Sequence, residues 1–188
     1  MSFTFEKRTT VFWIGINTHR NSLSFIMRQF IADLNQLYCL KSHLTERIVD
    51  LEDHFSFSRM SYAIKDLVKQ TDAEIENLDA VFLLLGEENS FEVCSELVNY
   101  LEGIYTDLTD AIETPTLAHV LFYEYLSQVK AIEKTCLASM LRVTMTIDNP
   151  ELKSLLRKEL ERPECQLLKT FKTYYPGSFG YNVETKSS

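Results

Sequence analysis

The chain has 188 residues, 45% of them hydrophobic, and 19 basic against 27 acidic side chains give a formal charge of −8. That length and composition suit one soluble domain with a full core. The acidic balance, with no local cluster of lysine or arginine, argues against nucleic acid or an anionic membrane surface as a partner.

Five glycines and four prolines leave few breaks, so few and long helices are expected. Residues 1–21 are read as an N-terminal extension, because TTVFWIGIN is β-branched and aromatic and fits none of the helices that follow. It would dock on the helices or reach across to a partner. Lys7-Arg8 ahead of Val11-Phe12-Trp13-Ile14 resembles a secretion signal. The apolar run is too short, however, and no small-residue cleavage site follows, so a cytoplasmic location is expected. No apolar stretch approaches the roughly 20 residues needed to span a bilayer.

Helix 1 is predicted from about Leu23 to Phe55, capped by Asn21 or Ser22, with Ile26, Phe30, Leu34, Leu37, Leu44, Ile48 and Leu51 along one stripe. Helix 2 starts near Ser58, turns Met60, Ile64, Leu67, Thr71, Ile75, Leu78, Phe82 and Leu85 inward, and stops at Gly86. Helix 3 spans about Phe91 to Ile112 on Cys94, Leu97, Leu101, Ile104 and Leu108. Thr114-Pro115-Thr116 is a break and a new cap, from which helix 4 runs to about Ile147.

Helix 4 carries Phe122, Tyr123, Tyr125, Leu126, Val129, Ile132, Cys136, Leu137 and Met140, more than one stripe. One side would face the bundle and the other a second subunit, so a homodimer through helix 4 or the N-terminal extension is expected. Asp148-Asn149-Pro150 starts helix 5, with Leu152, Leu155, Leu156, Leu160, Leu167 and Leu168 inward and a break near Arg162 ahead of Pro163. Residues 174–188 read as an irregular tail. The expected fold is all-α, an up-down four-helix bundle over residues 22–173 with an appended fifth helix.

The helix-1 stretch Phe30-Ile31-Ala32-Asp33-Leu34-Asn35-Gln36-Leu37-Tyr38 and the hairpin Leu78-Asp79-Ala80-Val81-Phe82-Leu83-Leu84-Leu85-Gly86-Glu87, with Cys94 after it, resemble the YciE/YciF-like ferritin-like stress proteins over residues 22–170. The resemblance implies a two-metal centre of glutamates and histidines inside the bundle. Such a cage needs hard oxygens and imidazoles converging from four helices.

Most of that pattern is replaced here. Where the family has a carboxylate after the helix-1 tyrosine, this chain has Cys39-Leu40-Lys41. The family's histidine and glutamate on helix 2 correspond to Leu67 and Gln70, with Thr71 retained. On helix 4 Lys130-Ala131-Ile132-Glu133 stands where the family has two glutamates around a histidine, leaving Glu133, with Ala131 at the histidine position. Glu102, Glu133, Glu161 and Glu164 are the remaining candidates to hold iron or manganese for peroxide or oxygen chemistry or for metal storage.

A lysine ~5 Å from a divalent metal repels it by roughly 6–7 kcal/mol at an effective dielectric near 20. Lys41 would therefore take the metal's place, pairing with Glu102 or Glu133 inside or beside the former site, or else snorkel to solvent with the glutamates doing likewise. The expected protein is a metal-free bundle without catalysis or cofactor, a dimeric structural or interaction protein associated with stress.

Other constellations give less. His43, Glu46, Asp50 and His54 share a stripe that could bind zinc or copper but is read as a polar boundary, and His19 and His119 as structural. Cys39, Cys94, Cys136 and Cys165 lie far apart without CxxC spacing and are read as small buried hydrophobes. The sequence holds no G-x-S-x-G, H-E-x-x-H, phosphate-cradling glycine loop or dinucleotide fingerprint. An apolar cavity beside Leu67 and Ala131 is a further possibility, with filling by side chains the preferred reading.

Overall fold

A computed structural model describes the backbone of residues 6–145, 149–161 and 166–174, and within these the side chains from Phe25 onward except Leu160, Gln166, Lys172 and Tyr174. Among the described residues every regular element is helical: α1 Glu6–Glu52, α2 Ser61–Leu85, α3 Ser95–Asp110, α4 Pro115–Thr144, α5 Pro150–Leu160 and α6 Gln166–Tyr174. Short 3₁₀ turns at Phe55–Met60 and Glu92–Cys94 lead into α2 and α3.

The first helix differs most from expectation. It starts at Glu6, so TTVFWIGIN belongs to α1, and Asn21 and Ser22 lie inside it instead of capping it. No proline interrupts residues 6–52, and β-branched residues cost a helix only tenths of a kcal/mol each, which leaves the long run intact. Its other end comes early, at Glu52. His54 Nδ1 accepts the Ser56 N–H at 3.3 Å and turns the chain into the 3₁₀ segment.

The remaining ends follow local chemistry. Gly86 takes the left-handed conformation (φ 68°), and the Gly86 and Glu87 N–H groups return to the Leu83 and Phe82 carbonyls at 3.2 and 3.1 Å, closing α2. Pro115 opens α4 without a side-chain cap from Thr114. Asn149 caps α5 through the Leu152 N–H at 3.0 Å, with Pro150 at the first helical position. Helix 5 of the sequence reading is two helices, α5 and α6. The Arg162–Pro163 break falls in 162–165, and the tail beyond Tyr174 also lies outside the described residues.

Cross-helix pairs fix the directions. Tyr38 meets Phe82 and Lys41 meets Glu74, so α1 and α2 are antiparallel. Gln36 meets Cys136 and His43 meets Tyr125, so α1 and α4 are also antiparallel, while Cys39–Ser90 and Arg47–Glu102 set α3 parallel to α1. The up-down alternation holds. Helix α2 packs on α1 and helix α3 on α4, two hairpins in succession, with α1 also against α4 and the C-terminal helices α5 and α6 laid against α2 and α4.

Helices α5 and α6 also cover α4: Phe171 packs edge-on to Phe122 and Tyr123 at 5.3 and 6.3 Å. The second apolar face of α4 thus meets the chain's own C-terminal helices. No described helix is long and apolar enough to cross a membrane.

Three long helices each show a stripe at spacings of three and four residues. On α1 it is Phe30, Leu34, Leu37, Lys41, Leu44, Ile48 and Leu51, all buried. On α2 it is Ile64, Leu67, Thr71, Glu74, Leu78 and Val81, so the inward position is Glu74, with Ile75 only half-buried. On α4 it is Phe122, Tyr125, Val129, Glu133, Cys136 and Met140. One core position on each of three helices is therefore charged.

Candidate functional site

Lys41, Glu74 and Glu133 meet at mid-bundle, with 1%, 1% and 8% of their surface exposed. The Lys41 ammonium pairs with Glu74 and lies 2.8 Å from Glu133 Oε1. Lys130 Nζ donates to Glu133 Oε2 at 2.7 Å, and Gln70 Nε2 donates to Glu74 Oε1 at 2.7 Å. Thr71, a neighbour on the Glu74 face, turns its hydroxyl back to the Leu67 carbonyl at 2.8 Å.

The layer is charge-balanced, two ammonium groups against two carboxylates. Each buried ion costs several kcal/mol to dehydrate, which only close pairing and filled lone pairs offset. Burial alone would raise the Glu74 carboxyl, but the Lys41 charge and hydrogen bond, with Gln70 and Lys130, outweigh it and hold the group below its ordinary value.

A second cluster lies further along α1. His43 Nδ1 is 2.9 Å from the Tyr125 hydroxyl, and Nε2 is 3.2 Å from Glu102 Oε1, without the alignment of a hydrogen bond. Arg47 Nε donates to that same oxygen at 2.8 Å, and its guanidinium lies 5.7 Å from the centre of the Tyr105 ring. Burial lowers the His43 imidazole, and the Arg47 charge adds to this against the pull of Glu102, so the ring is neutral at pH 7. A neutral ring with its proton on Nε2 accepts the Tyr125 hydroxyl proton at Nδ1.

Burial acts on Glu102 to raise it, but the Arg47 hydrogen bond and charge outweigh it and hold the group below its usual value. The Tyr105 phenol is pushed up to about 12 by burial and by the Asp50 charge, against the opposing Arg47.

These contacts sort the sequence candidates. Lys41 pairs with Glu133, one of its two expected partners, and with Glu74, which was not among them. Glu102 belongs to Arg47 and His43 instead. Glu161 is exposed at the end of α5, and Glu164 lies outside the described residues. Leu67 is buried in the core and Gln70 reaches the layer, but Ala131 is exposed on the outer face of α4, midway in sequence between Val129 and Glu133 of the inward stripe, so it borders no interior cavity.

The α1 stripe does not hold either: His43 is buried, Glu46 and Asp50 are exposed, and His54 lies beyond the helix end. His119 is buried and donates to the Ser56 carbonyl at 2.6 Å, while the side chain of His19 lies outside those described. Among the described residues no group of three or more His, Cys, Asp or Glu side chains is placed to hold a metal ion.

Glu74 and Arg47 were the residues missed, although the sequence carries a signal for them. No lysine or arginine lies between Lys69 and Lys130. A buried carboxylate on α3, or on α2 past the reach of Lys65 and Lys69, must therefore draw its cation from another helix. α1 supplies Lys41 and Arg47, and α4 supplies Lys130 at its middle.

No family model, curated protein or solved structure matches this chain.

Proposed function

We propose that the chain is a metal-free helical bundle on a ferritin-like plan, a cytoplasmic structural or interaction protein without catalysis, associated with stress as the family it resembles is. The single observation that carries this reading is the position of Lys41. Its ammonium lies between the two buried carboxylates that a bridging metal would use, 2.8 Å from Glu133 and paired with Glu74. The residues do not fit an iron or manganese centre, because the lysine occupies the bridging position and repels any multivalent cation brought near it.

The reading includes a homodimer. With the second face of α4 covered by α5 and α6, the remaining expected interface is the N-terminal part of α1, whose sequence carries Val11, Phe12, Trp13 and Ile14. Phe25, further along the same helix, is 62% exposed. Light scattering on the full chain and on one lacking residues 1–21 tests this: a dimer that becomes a monomer is expected, and a monomeric full chain overturns it.

Elemental analysis of the purified protein, with and without added iron(II) or manganese(II), tests the central reading. Metal well below one equivalent per chain is expected. Stoichiometric metal overturns the reading and favours a reduced iron or manganese site.

A further inference from the structure

Two thiols that sequence spacing keeps apart are neighbours in the fold. Cys39, in the middle of α1, and Cys94, at the end of the 3₁₀ turn before α3, both point at the Ser90 carbonyl oxygen, at 4.0 and 3.9 Å. Sharing that one acceptor places the two sulfurs side by side. Both are free and buried, at 2% and 1% exposure. Around them the α2–α3 connection is held to α1 by few contacts: the Ser90 N–H donates to Asn35 Oδ1 at 2.6 Å, and Tyr38 packs edge-on to Phe91 at 5.9 Å.

We propose that Cys39 and Cys94 are a redox pair: on exposure to a peroxide they form a disulfide that locks the α2–α3 connection onto α1. This rests on the thiol geometry and not on the metal-free reading of the bundle.

Access is controlled by the connection itself. Glu87, Glu88 and Asn89 are exposed, as are Phe91, Glu92 and Val93, so this segment can open locally without unfolding the helices. Burial raises both thiols in the closed form, Cys39 the more clearly, which keeps them unreactive there. Cys94, on the segment that opens, is thus the first nucleophile.

Its deprotonated sulfur attacks one oxygen of hydrogen peroxide, the O–O bond breaks, and the departing hydroxide takes up the released proton as water, leaving a sulfenic acid. Cys39, as its thiolate, then attacks that sulfur; the S–S bond forms, the S–O bond breaks and a second water leaves with the thiol proton. The two thiols lose two electrons together, and peroxide is reduced to two waters.

The experiment treats the reduced full-length protein with hydrogen peroxide, blocks remaining thiols with an alkylating agent, and maps the peptides by mass spectrometry. A Cys39–Cys94 cross-linked peptide, lighter by two hydrogens and restored by reductant, is expected in the wild type and undiminished in C136S. The bridged form should melt at least about 5 °C higher than the reduced form, because it removes freedom from the unfolded chain across the Cys39–Cys94 loop. In C39S, checked for folding by circular dichroism, oxidation should stop at a trappable sulfenic acid on Cys94. If C39S does not fold, the wild-type and C136S maps decide alone. Both thiols remaining free while the protein is folded, or a cross-link through Cys136 in preference to this pair, overturns the proposal.

Discussion

Lys41 on α1 and Glu74 on α2 form an ion pair across 33 residues of sequence, and each is 1% exposed. Neither is optional once the other is buried. A bundle core that contains one of these charges needs the other, and Glu133 and Lys130 complete the neutral set.

K41M tests this dependence. The substitution keeps most of the buried stem but leaves two carboxylates facing each other with Lys130 as their remaining cation. Leaving a buried charge unpaired costs about 3–5 kcal/mol. Urea denaturation should show that loss as a lower midpoint, and K41M/E74M should recover a substantial part of it, since replacing both partners with apolar groups removes the stranded charge. A K41M cost below about 1 kcal/mol would mean that the pair does not hold the layer.

Stability should fall with acid in two steps. His43 is lowered in the fold, so between its folded value and the free value of about 6.5 the unfolded chain binds the extra proton, and stability falls as pH drops below that free value. Glu74 and Glu102 are also lowered. Their contribution is complete above the ordinary carboxylate range of about 4.3 and is lost as pH falls through their folded values. Urea midpoints from pH 8 to pH 3 should lose the upper step in H43Q and shrink in the lower step in E74Q; an unchanged upper step in H43Q would assign it elsewhere.

Y125F removes the hydroxyl that faces His43 Nδ1 at 2.9 Å and strands a buried ring nitrogen. A cost of about 1–3 kcal/mol is expected. In addition, the His43 titration followed by NMR should move. A shift in stability with no change in that titration would separate Tyr125 from the histidine.

Two glycine substitutions should differ in sign. Gly86 has φ 68° at the end of α2, where an L side chain is strained although nothing crowds it, so G86A should cost about 1–2 kcal/mol. Gly103 is exposed inside α3 with open space around its Cα, so G103A should stabilise by about 0.5–1 kcal/mol. Thermal melts of the two variants read both effects directly.

The helices were legible because their signals are local. Gly86, Pro115, Asn149 and Pro150 act on the hydrogen bonds of their own neighbours, and each ends or begins a helix where its chemistry requires. The start of α1 was misjudged for the converse reason. Weak residue preferences in TTVFWIGIN do not stop a helix that lacks a proline.

The sequence by itself set Lys41 at the gap in the stripe between Leu37 and Leu44, and the tertiary structure decided that its side chain stays buried there instead of reaching solvent. The sequence also determined that carboxylates of α3, and those of α2 past the reach of Lys69, must find cations elsewhere, since none lies between Lys69 and Lys130. Only the tertiary structure decided that Glu74 and not Ile75 turns inward, that Glu102 goes to Arg47, and that Cys39 meets Cys94. Neighbouring positions on a helix point about 100° apart, so a small rotation of one helix against another exchanges one side chain for the next. That rotation is set by the packing of the whole core.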